Sequence, residues 1–141
     1  MLKGIDPLLN GELLKHLDQL GHSESLALVD RNFPAYGVGA PVIDLGEVTV
    51  QRATKALVSV FPIDQYSDSP IARMGIDDDH LTQNDAHRAV LQAINHEEGT
   101  ERQWRVIPRM DFYSEVKKVR LVVRCLDSSP FACFIFQKGV V

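Results

Sequence analysis

The residues best suited to proton chemistry lie at the two ends of one short apolar segment. His22 precedes this segment and Asp30 follows it, within the stretch GHSESLALVDRNFPA at residues 21–35. A histidine has a reference pKa of about 6.5, so it can both accept and donate a proton near neutral pH. An aspartate can orient a hydroxyl group or share a proton. Because a strand rises about 3.3 Å per residue, the two side chains meet only if the flanking loops fold back over one pocket.

Both residues also have a structural explanation. His22 could be a surface histidine near a helix C-terminus, where the helix dipole favours its charged form. Asp30 could simply begin a turn after a strand. Spacing alone leaves these interpretations open.

Three further side chains are candidates for binding. Arg109 offers a rigid fork of donors for hydroxyl or carboxylate oxygens, or it forms a surface ion pair of little energetic effect. Tyr113 could stack on a ligand, or it is an aromatic residue at the edge of the core. Cys133 alternates with Phe134 and Phe136, which favours a structural thiol, so we expect no nucleophilic role.

No metal or cofactor is expected. His80, His87 and His96 are spaced too widely and irregularly to supply two ligands from one helical turn. The acidic triplet at residues 77–79 lacks the calcium-loop pattern and is typical of a solvated connection. The sequence contains no glycine-rich phosphate loop and no dinucleotide fingerprint.

Composition restricts the class of partner. The 141 residues carry a formal net charge of −4, which argues against nucleic acid or an anionic membrane as partner. Cys125 and Cys133 form no C-x-x-C pair and lie in apolar runs, so buried reduced thiols are expected. The N-terminus lacks the apolar core of a signal peptide, and no segment approaches the roughly 20 apolar residues of a membrane helix. We therefore expect one soluble, cytoplasmic domain spanning residues 1–141.

Hydrophobic periodicity predicts the elements that position the candidate residues. Two helices should begin after the N-cap candidates Asn10 and Thr49, and a third should run from about Asn84 to His96. Gly21, Pro62 and Gly99 mark their ends. A further turn or two of helix is predicted within residues 111–118. Strands are predicted at residues 26–29, 42–45, 71–76, 105–107, 119–125 and 131–138. The last two strands are separated by a turn signal and should form a hairpin.

Alternation of strands and helices predicts an α/β domain with a mainly parallel sheet flanked by helices and a C-terminal pair of strands. In open α/β sheets the ligand site lies outside the carboxyl ends of the strands. Asp30 and Arg109 each follow a predicted strand, so both should lie at the same rim of the sheet.

Four stretches together resemble the family of fucose mutarotases and D-ribose pyranases. They are LKGIDPLLNGELLKHLDQLGH near the N-terminus, DRNFPA from Asp30, PRMDFYSE around Arg109 and Tyr113, and SPFACFIFQKGV near the C-terminus. The resemblance covers essentially the full length, and it is the combination that is specific. DRNFPA, FYSE and Arg109 are more similar to the fucose branch.

The resemblance implies a ribose pyranase-like fold and cofactor-free interconversion of the α and β anomers of a monosaccharide, with fucose the leading candidate. His22 would be the acid/base residue that opens and closes the sugar ring. Asp30 and Arg109 would fix the sugar. The pocket walls would be Tyr113, Phe131 and Cys133.

The chain departs from the family pattern at two positions of the C-terminal stretch. Phe131 and Cys133 stand where the family usually has a tyrosine and an asparagine that hold the sugar. This difference keeps open a non-catalytic sugar-binding protein, associated with sugar transport or catabolism. A purely structural role in an oligomer is a third possibility, ranked last because His22, Asp30 and Arg109 keep the family's identities.

Members of the family form ring-shaped oligomers, typically decamers, in which a neighbouring subunit completes each pocket. The resemblance therefore implies a homo-oligomer with its pocket at the subunit interface. Such an assembly would supply the folding back that His22 and Asp30 require.

Overall fold

A computed structural model describes residues 1–77 and 79–141 of the chain. The described strands are β1 (Ser25–Val29), β2 (Val42–Asp44), β3 (Ile71–Met74), β4 (Arg105–Ile107), β5 (Leu121–Arg124) and β6 (Phe134–Gln137). They form one sheet in the order β2-β5-β1-β6-β3-β4. The described helices are α1 (Gly11–Gln19), α2 (Val50–Val58), α3 (Asp85–Glu98) and α4 (Arg109–Glu115).

The predicted helix starts are confirmed by their caps. The side chains of Asn10, Thr49 and Asn84 each accept a hydrogen bond from the backbone N–H three residues further along, which satisfies an N–H that a helix start leaves unpaired. Gly99 ends α3 with a left-handed φ of 65°. Among the described residues, the helices fall short of the length and apolarity that a membrane crossing requires.

The end of α1 differs from the expected glycine cap. Gly21 follows the helix as predicted, but it is absent from the described glycines with positive φ. Instead the ammonium group of Lys138 donates to the carbonyls of Leu17 and Leu20, at 2.7 Å from the first. Because these carbonyls are satisfied by a charged donor, a left-handed turn is not needed there.

Side chains alternate between the two faces of the sheet. Leu26 and Leu28 of β1 join the core formed with α1, α2 and α3, whereas Ala27 and Val29 join a second core with α4. All four are fully buried, as the continuous apolar run predicts for a central strand. The sheet is therefore covered on both faces.

The mainly parallel sheet is confirmed, and β6 is the exception among the described strands. β1 pairs in parallel with β5, and β3 with β4. β6 lies antiparallel between β1 and β3. The two C-terminal strands are present, but the expected hairpin is wrong because β1 separates β5 from β6. The central place buries Phe134, Ile135 and Phe136 on both faces of the sheet, which an edge hairpin would not do.

Strand direction determines which loops share a rim. The loops after β1, β3 and β4 meet at the carboxyl rim, and the segment before antiparallel β6 reaches the same rim. The loops before β1 and β3 lie at the opposite rim, which we call the amino rim. Of the predicted acidic connection, Asp77 and Asp79 are exposed, and Asp78 lies outside the described residues.

Candidate functional site

A small cavity of about 220 Å³ lies at the carboxyl rim. The predicted site residues that line it are Asp30, Arg109, Tyr113, Phe131 and Cys133. A larger depression of about 660 Å³ runs along α3, but none of the predicted site residues borders it. The prediction that Asp30 and Arg109 share one rim is therefore confirmed by the geometry.

Asp30 is held rigidly at the base of this cavity. The residue is only 6% exposed, and its Oδ1 accepts the backbone N–H groups of Asn32 at 2.9 Å and Phe33 at 3.1 Å. Its Oδ2 accepts the thiol of Cys133 at 3.4 Å. Burial raises the pKa of Asp30, against the opposing effect of these hydrogen bonds. The carboxylate is thus fixed in place, and its raised pKa means that it binds a proton more readily than an exposed aspartate does.

Cys133 contributes as a neutral thiol. Its side chain is buried, and burial, reinforced by the nearby Asp30 charge, raises the pKa of the thiol well above its ordinary value. A protonated thiol is a weak hydrogen-bond donor and a poor nucleophile. The geometry agrees with a structural role for Cys133, whose thiol faces Asp30.

Aromatic rings form the walls of the cavity. Phe33 stacks on Tyr113 with ring centroids 5.6 Å apart and an angle of 14° between the planes. Phe131 has a left-handed φ of 57°, uncommon for a residue with a side chain. Arg109, the first residue of α4, is exposed beside these rings. Apolar walls with a few convergent polar groups are typical of small-ligand sites.

His22 lies at the amino rim, where its partner is Asp64. The ring Nε2 is 3.2 Å from Asp64 Oδ1, with side-chain exposures of 44% for the histidine and 3% for the aspartate. Asp64 also accepts the backbone N–H of Tyr66 at 3.0 Å. This bond is the main cause that lowers the pKa of Asp64, and the bond from His22 adds to it. An ionised carboxylate only accepts hydrogen bonds, so Nε2 carries a proton and Nδ1 is the basic nitrogen.

One chain therefore does not bring His22 to Asp30. The two residues flank β1, whose five residues span about 16 Å at the usual rise. His22 is absent from the lining of the carboxyl-rim cavity. The flanking loops do not fold back over a common pocket, since each rim is closed by its own loops.

Asp64 was missed by the sequence reasoning. The available signal was topological: Asp64 lies between α2 and β3, and His22 lies between α1 and β1. Because β1 and β3 run in the same direction, the loops that precede them share a rim. A carboxylate in that loop is a natural partner for the histidine.

The chain beyond β6 holds the histidine and its carboxylate partner together. Lys138 exchanges backbone hydrogen bonds with Ser23 and Glu24, at 2.9 and 2.8 Å. Gly139 packs so closely on the next loop that an added Cβ would lie 2.7 Å from the carbonyl oxygen of Ile63. The segment QKG at residues 137–139 therefore fixes both loops of the amino rim. Among the described residues, no group of three or more His, Cys, Asp or Glu side chains is arranged to hold a metal ion.

The fold and the cavity define a class: an α/β protein with a candidate small-ligand site at the carboxyl ends of its strands. Comparison with known sequences narrows the class. The chain belongs to the RbsD / FucU transport protein family, which it matches over residues 3–141.

Individual relatives are similar over almost their whole length. An L-fucose mutarotase of Haemophilus influenzae (strain PittEE) is 33% identical over 141 residues, covering 99% of this chain and 97% of the relative. A solved structure described as a putative sugar binding protein has a TM-score of 0.95 and 32% identity, over 100% of this chain and 97% of that one. A fucose mutarotase from Streptococcus pneumoniae in complex with L-fucose has a TM-score of 0.90 and 27% identity, over 99% of each chain.

Proposed function

We propose that the protein is a sugar mutarotase that interconverts the α and β anomers of a monosaccharide, with fucose the leading candidate. The main support for this proposal is the carboxyl-rim cavity. It is lined by the buried carboxylate of Asp30 and the exposed Arg109, between aromatic walls. The fucose mutarotases among its relatives support the reaction class.

The carboxyl-rim cavity binds the sugar. Asp30 accepts hydrogen bonds from sugar hydroxyl groups, and Arg109 donates to hydroxyl oxygens through its planar fork. The stacked rings of Phe33 and Tyr113 offer an apolar surface to the C–H face of the sugar. Phe131 and Cys133 close the far wall.

The reaction is ring opening followed by reclosure. The anomeric hydroxyl loses its proton, the bond between the anomeric carbon and the ring oxygen breaks, and the ring oxygen gains a proton. The free aldehyde then recloses on either face. General acid and base assistance of this kind contributes typically a hundredfold to ten-thousandfold.

His22 supplies this assistance through Nδ1. Asp64 holds the proton on Nε2, so Nδ1 takes the proton from the anomeric hydroxyl as base. The resulting imidazolium is stabilised by the Asp64 carboxylate and returns its proton as acid. Asp64 is thus a positioning residue that fixes the tautomer of His22.

A second copy of the chain supplies the missing half of each site. The two half-sites lie at opposite ends of β1, so they meet only if the amino rim of one copy contacts the carboxyl rim of the next. Head-to-tail contacts form a ring when the rotation between successive copies closes, and the ring-shaped assemblies of the family favour this outcome. Tyr66 near His22 and Met110 beside Arg109 are 77% and 66% exposed, large apolar side chains suited to this contact.

The test is NMR saturation transfer between the anomeric proton signals of each sugar in a panel. Exchange faster than in buffer, greatest for fucose and abolished in His22→Ala, is the expected result. No acceleration for any sugar would overturn the mutarotase proposal. Binding of a sugar without exchange would instead favour the non-catalytic sugar-binding role, which the loss of two polar groups at Phe131 and Cys133 makes the second candidate.

A further inference from the structure

Two consecutive backbone carbonyls of the cavity wall accept hydrogen bonds from side chains at the N-terminal end of α3. The side-chain amide of Asn84 donates to the carbonyl oxygen of Pro130 at 2.7 Å. The ring Nε2 of His87 lies 2.8 Å from the carbonyl oxygen of Phe131. Pro130 and Phe131 both line the cavity, whereas Asn84 and His87 do not. The wall is therefore fixed by residues outside the site.

His87 can adopt only one tautomer here. Its Nδ1 lies 3.3 Å from the backbone N–H of Asn84 and 3.4 Å from Nη1 of Arg73. Both of these groups are donors, so Nδ1 accepts. The carbonyl oxygen of Phe131 is an acceptor, so Nε2 donates. A neutral ring protonated on Nε2 satisfies every contact.

The surroundings keep the ring neutral. His87 is 0% exposed, and the guanidinium of Arg73 beside it is 1% exposed. Burial, together with the charges of Arg73 and Arg88, lowers the pKa of His87 to about 4, against the opposing effect of the bond to Phe131. The neutral ring, with its Nε2–H donating to the Phe131 carbonyl, is consequently retained across the neutral pH range.

The segment held by His87 leads directly to Asp30. Phe131 has a left-handed φ, a conformation that needs outside support in a residue with a side chain. The backbone N–H of the next residue, Ala132, helps to lower the pKa of Asp30 against the effect of burial, and the thiol of Cys133 donates to the same carboxylate at 3.4 Å. Moving the Phe131 carbonyl would shift both Ala132 and the Cys133 thiol relative to Asp30.

We propose that His87 is a positioning residue: its single hydrogen bond to the Phe131 carbonyl fixes the segment 130–133 against Asp30. His87 itself contacts no sugar. Its kinetic effect depends on the proposed mutarotase function, whereas its effect on the segment does not.

The test compares three variants. His87→Leu removes the donor, His87→Gln retains an amide N–H near the position of Nε2, and Val90→Ala truncates another buried residue on α3 away from the cavity wall. Two quantities are measured well below the melting temperature. The first is anomer exchange of fucose as a function of its concentration, and the second is amide hydrogen exchange of Ala132 and Cys133 without sugar.

His87→Leu should raise the KM roughly fivefold, the effect of one lost hydrogen bond, with a smaller change in kcat. It should also speed amide exchange at Ala132 at least about tenfold as local opening becomes easier. His87→Gln should recover most of both effects, and Val90→Ala should change neither although it lowers stability. A wild-type KM and wild-type amide exchange in His87→Leu, or no recovery in His87→Gln, would overturn the proposal.

Two further outcomes remain decisive. If the wild-type protein exchanges no sugar, the mutarotase proposal fails, and the amide exchange of Ala132 alone decides the role of His87. If His87→Leu does not fold, the ¹⁵N spectrum of the wild-type His87 ring replaces it. A neutral ring protonated on Nε2 is expected between pH 5.5 and 8; a proton on Nδ1 in that range would overturn the proposal.

Discussion

His22 and Asp30 lie at opposite ends of β1. His22 has a partner at the amino rim, and Asp30 has a partner at the carboxyl rim. His22 contacts the buried Asp64 through Nε2 at 3.2 Å, and Asp30 accepts the Cys133 thiol at 3.4 Å. In the proposed function, one chain therefore carries two half-sites.

Asp64→Asn should reduce kcat at least about tenfold with little change in sugar affinity. The amide oxygen at the Oδ1 position still accepts from Nε2 and from the Tyr66 backbone N–H. It lacks the negative charge that stabilises the imidazolium formed when Nδ1 takes a proton. Steady-state anomer exchange and sugar titration measure the two quantities separately. Asp68→Asn, an exposed change in the same loop, is the matched control. Equal kcat in both variants would contradict the role given to Asp64.

Restoring the family's polar groups should tighten sugar binding. The double variant Phe131→Tyr, Cys133→Asn adds a hydroxyl and an amide to the cavity wall, and each new hydrogen bond contributes about 0.5–1.5 kcal/mol. The two bonds together give about 1–3 kcal/mol, so the KM for fucose should fall at least about fivefold. Each single variant serves as a control for disturbance of Asp30. An unchanged or higher KM, with the fold intact, would mean that these positions do not face the sugar.

Stability should fall on acidification because of His87. Its pKa is about 4 in the folded protein, against 6.5 for an unperturbed histidine, so the unfolded chain binds more protons between these values. The free energy of unfolding therefore decreases as pH falls through this window, by roughly 3 kcal/mol in all. The raised pKa of Asp30 has the opposite sign, since protonation there favours the folded state as pH falls.

The comparison of wild type with His87→Gln isolates this effect, because Asp30 is present in both. Urea unfolding at equal protein concentration, at pH 7 and pH 4.5, should show a loss about 2 kcal/mol larger in the wild type. The lowered pKa values of Asp64 and Asp127 place their titration below this range. Equal losses in the two proteins would show that His87 titrates normally in the folded state.

Local sequence signals predicted most of the fold. The N-cap residues Asn10 and Thr49 and the apolar run of β1 are local features, and the structure confirms them. The place of β6 was not predictable in this way. Short separation from β5 suggests a hairpin, whereas burial of Phe134 and Phe136 on a central strand depends on contacts distant in sequence.

The candidate site was likewise predictable only in part. Asp30 and Arg109 were placed at one rim by a general rule on strand ends, and the cavity there contains both. Asp64 and His87 were missed because their roles depend on loops brought together by the sheet. His87 did carry a local signal, since it lies three residues before the buried Val90 on the apolar face of α3.

The most direct test of the central claim mixes two inactive variants, His22→Ala and Asp30→Asn. Each is expected to be inactive alone, because each lacks one half-site throughout its assembly. After unfolding and joint refolding in equal amounts, about one quarter of head-to-tail contacts should join an intact His22 to an intact Asp30. Anomer exchange should then return to about one quarter of the wild-type rate. No recovered activity, once mass spectrometry confirms mixed assemblies, would contradict a site shared between two copies of the chain.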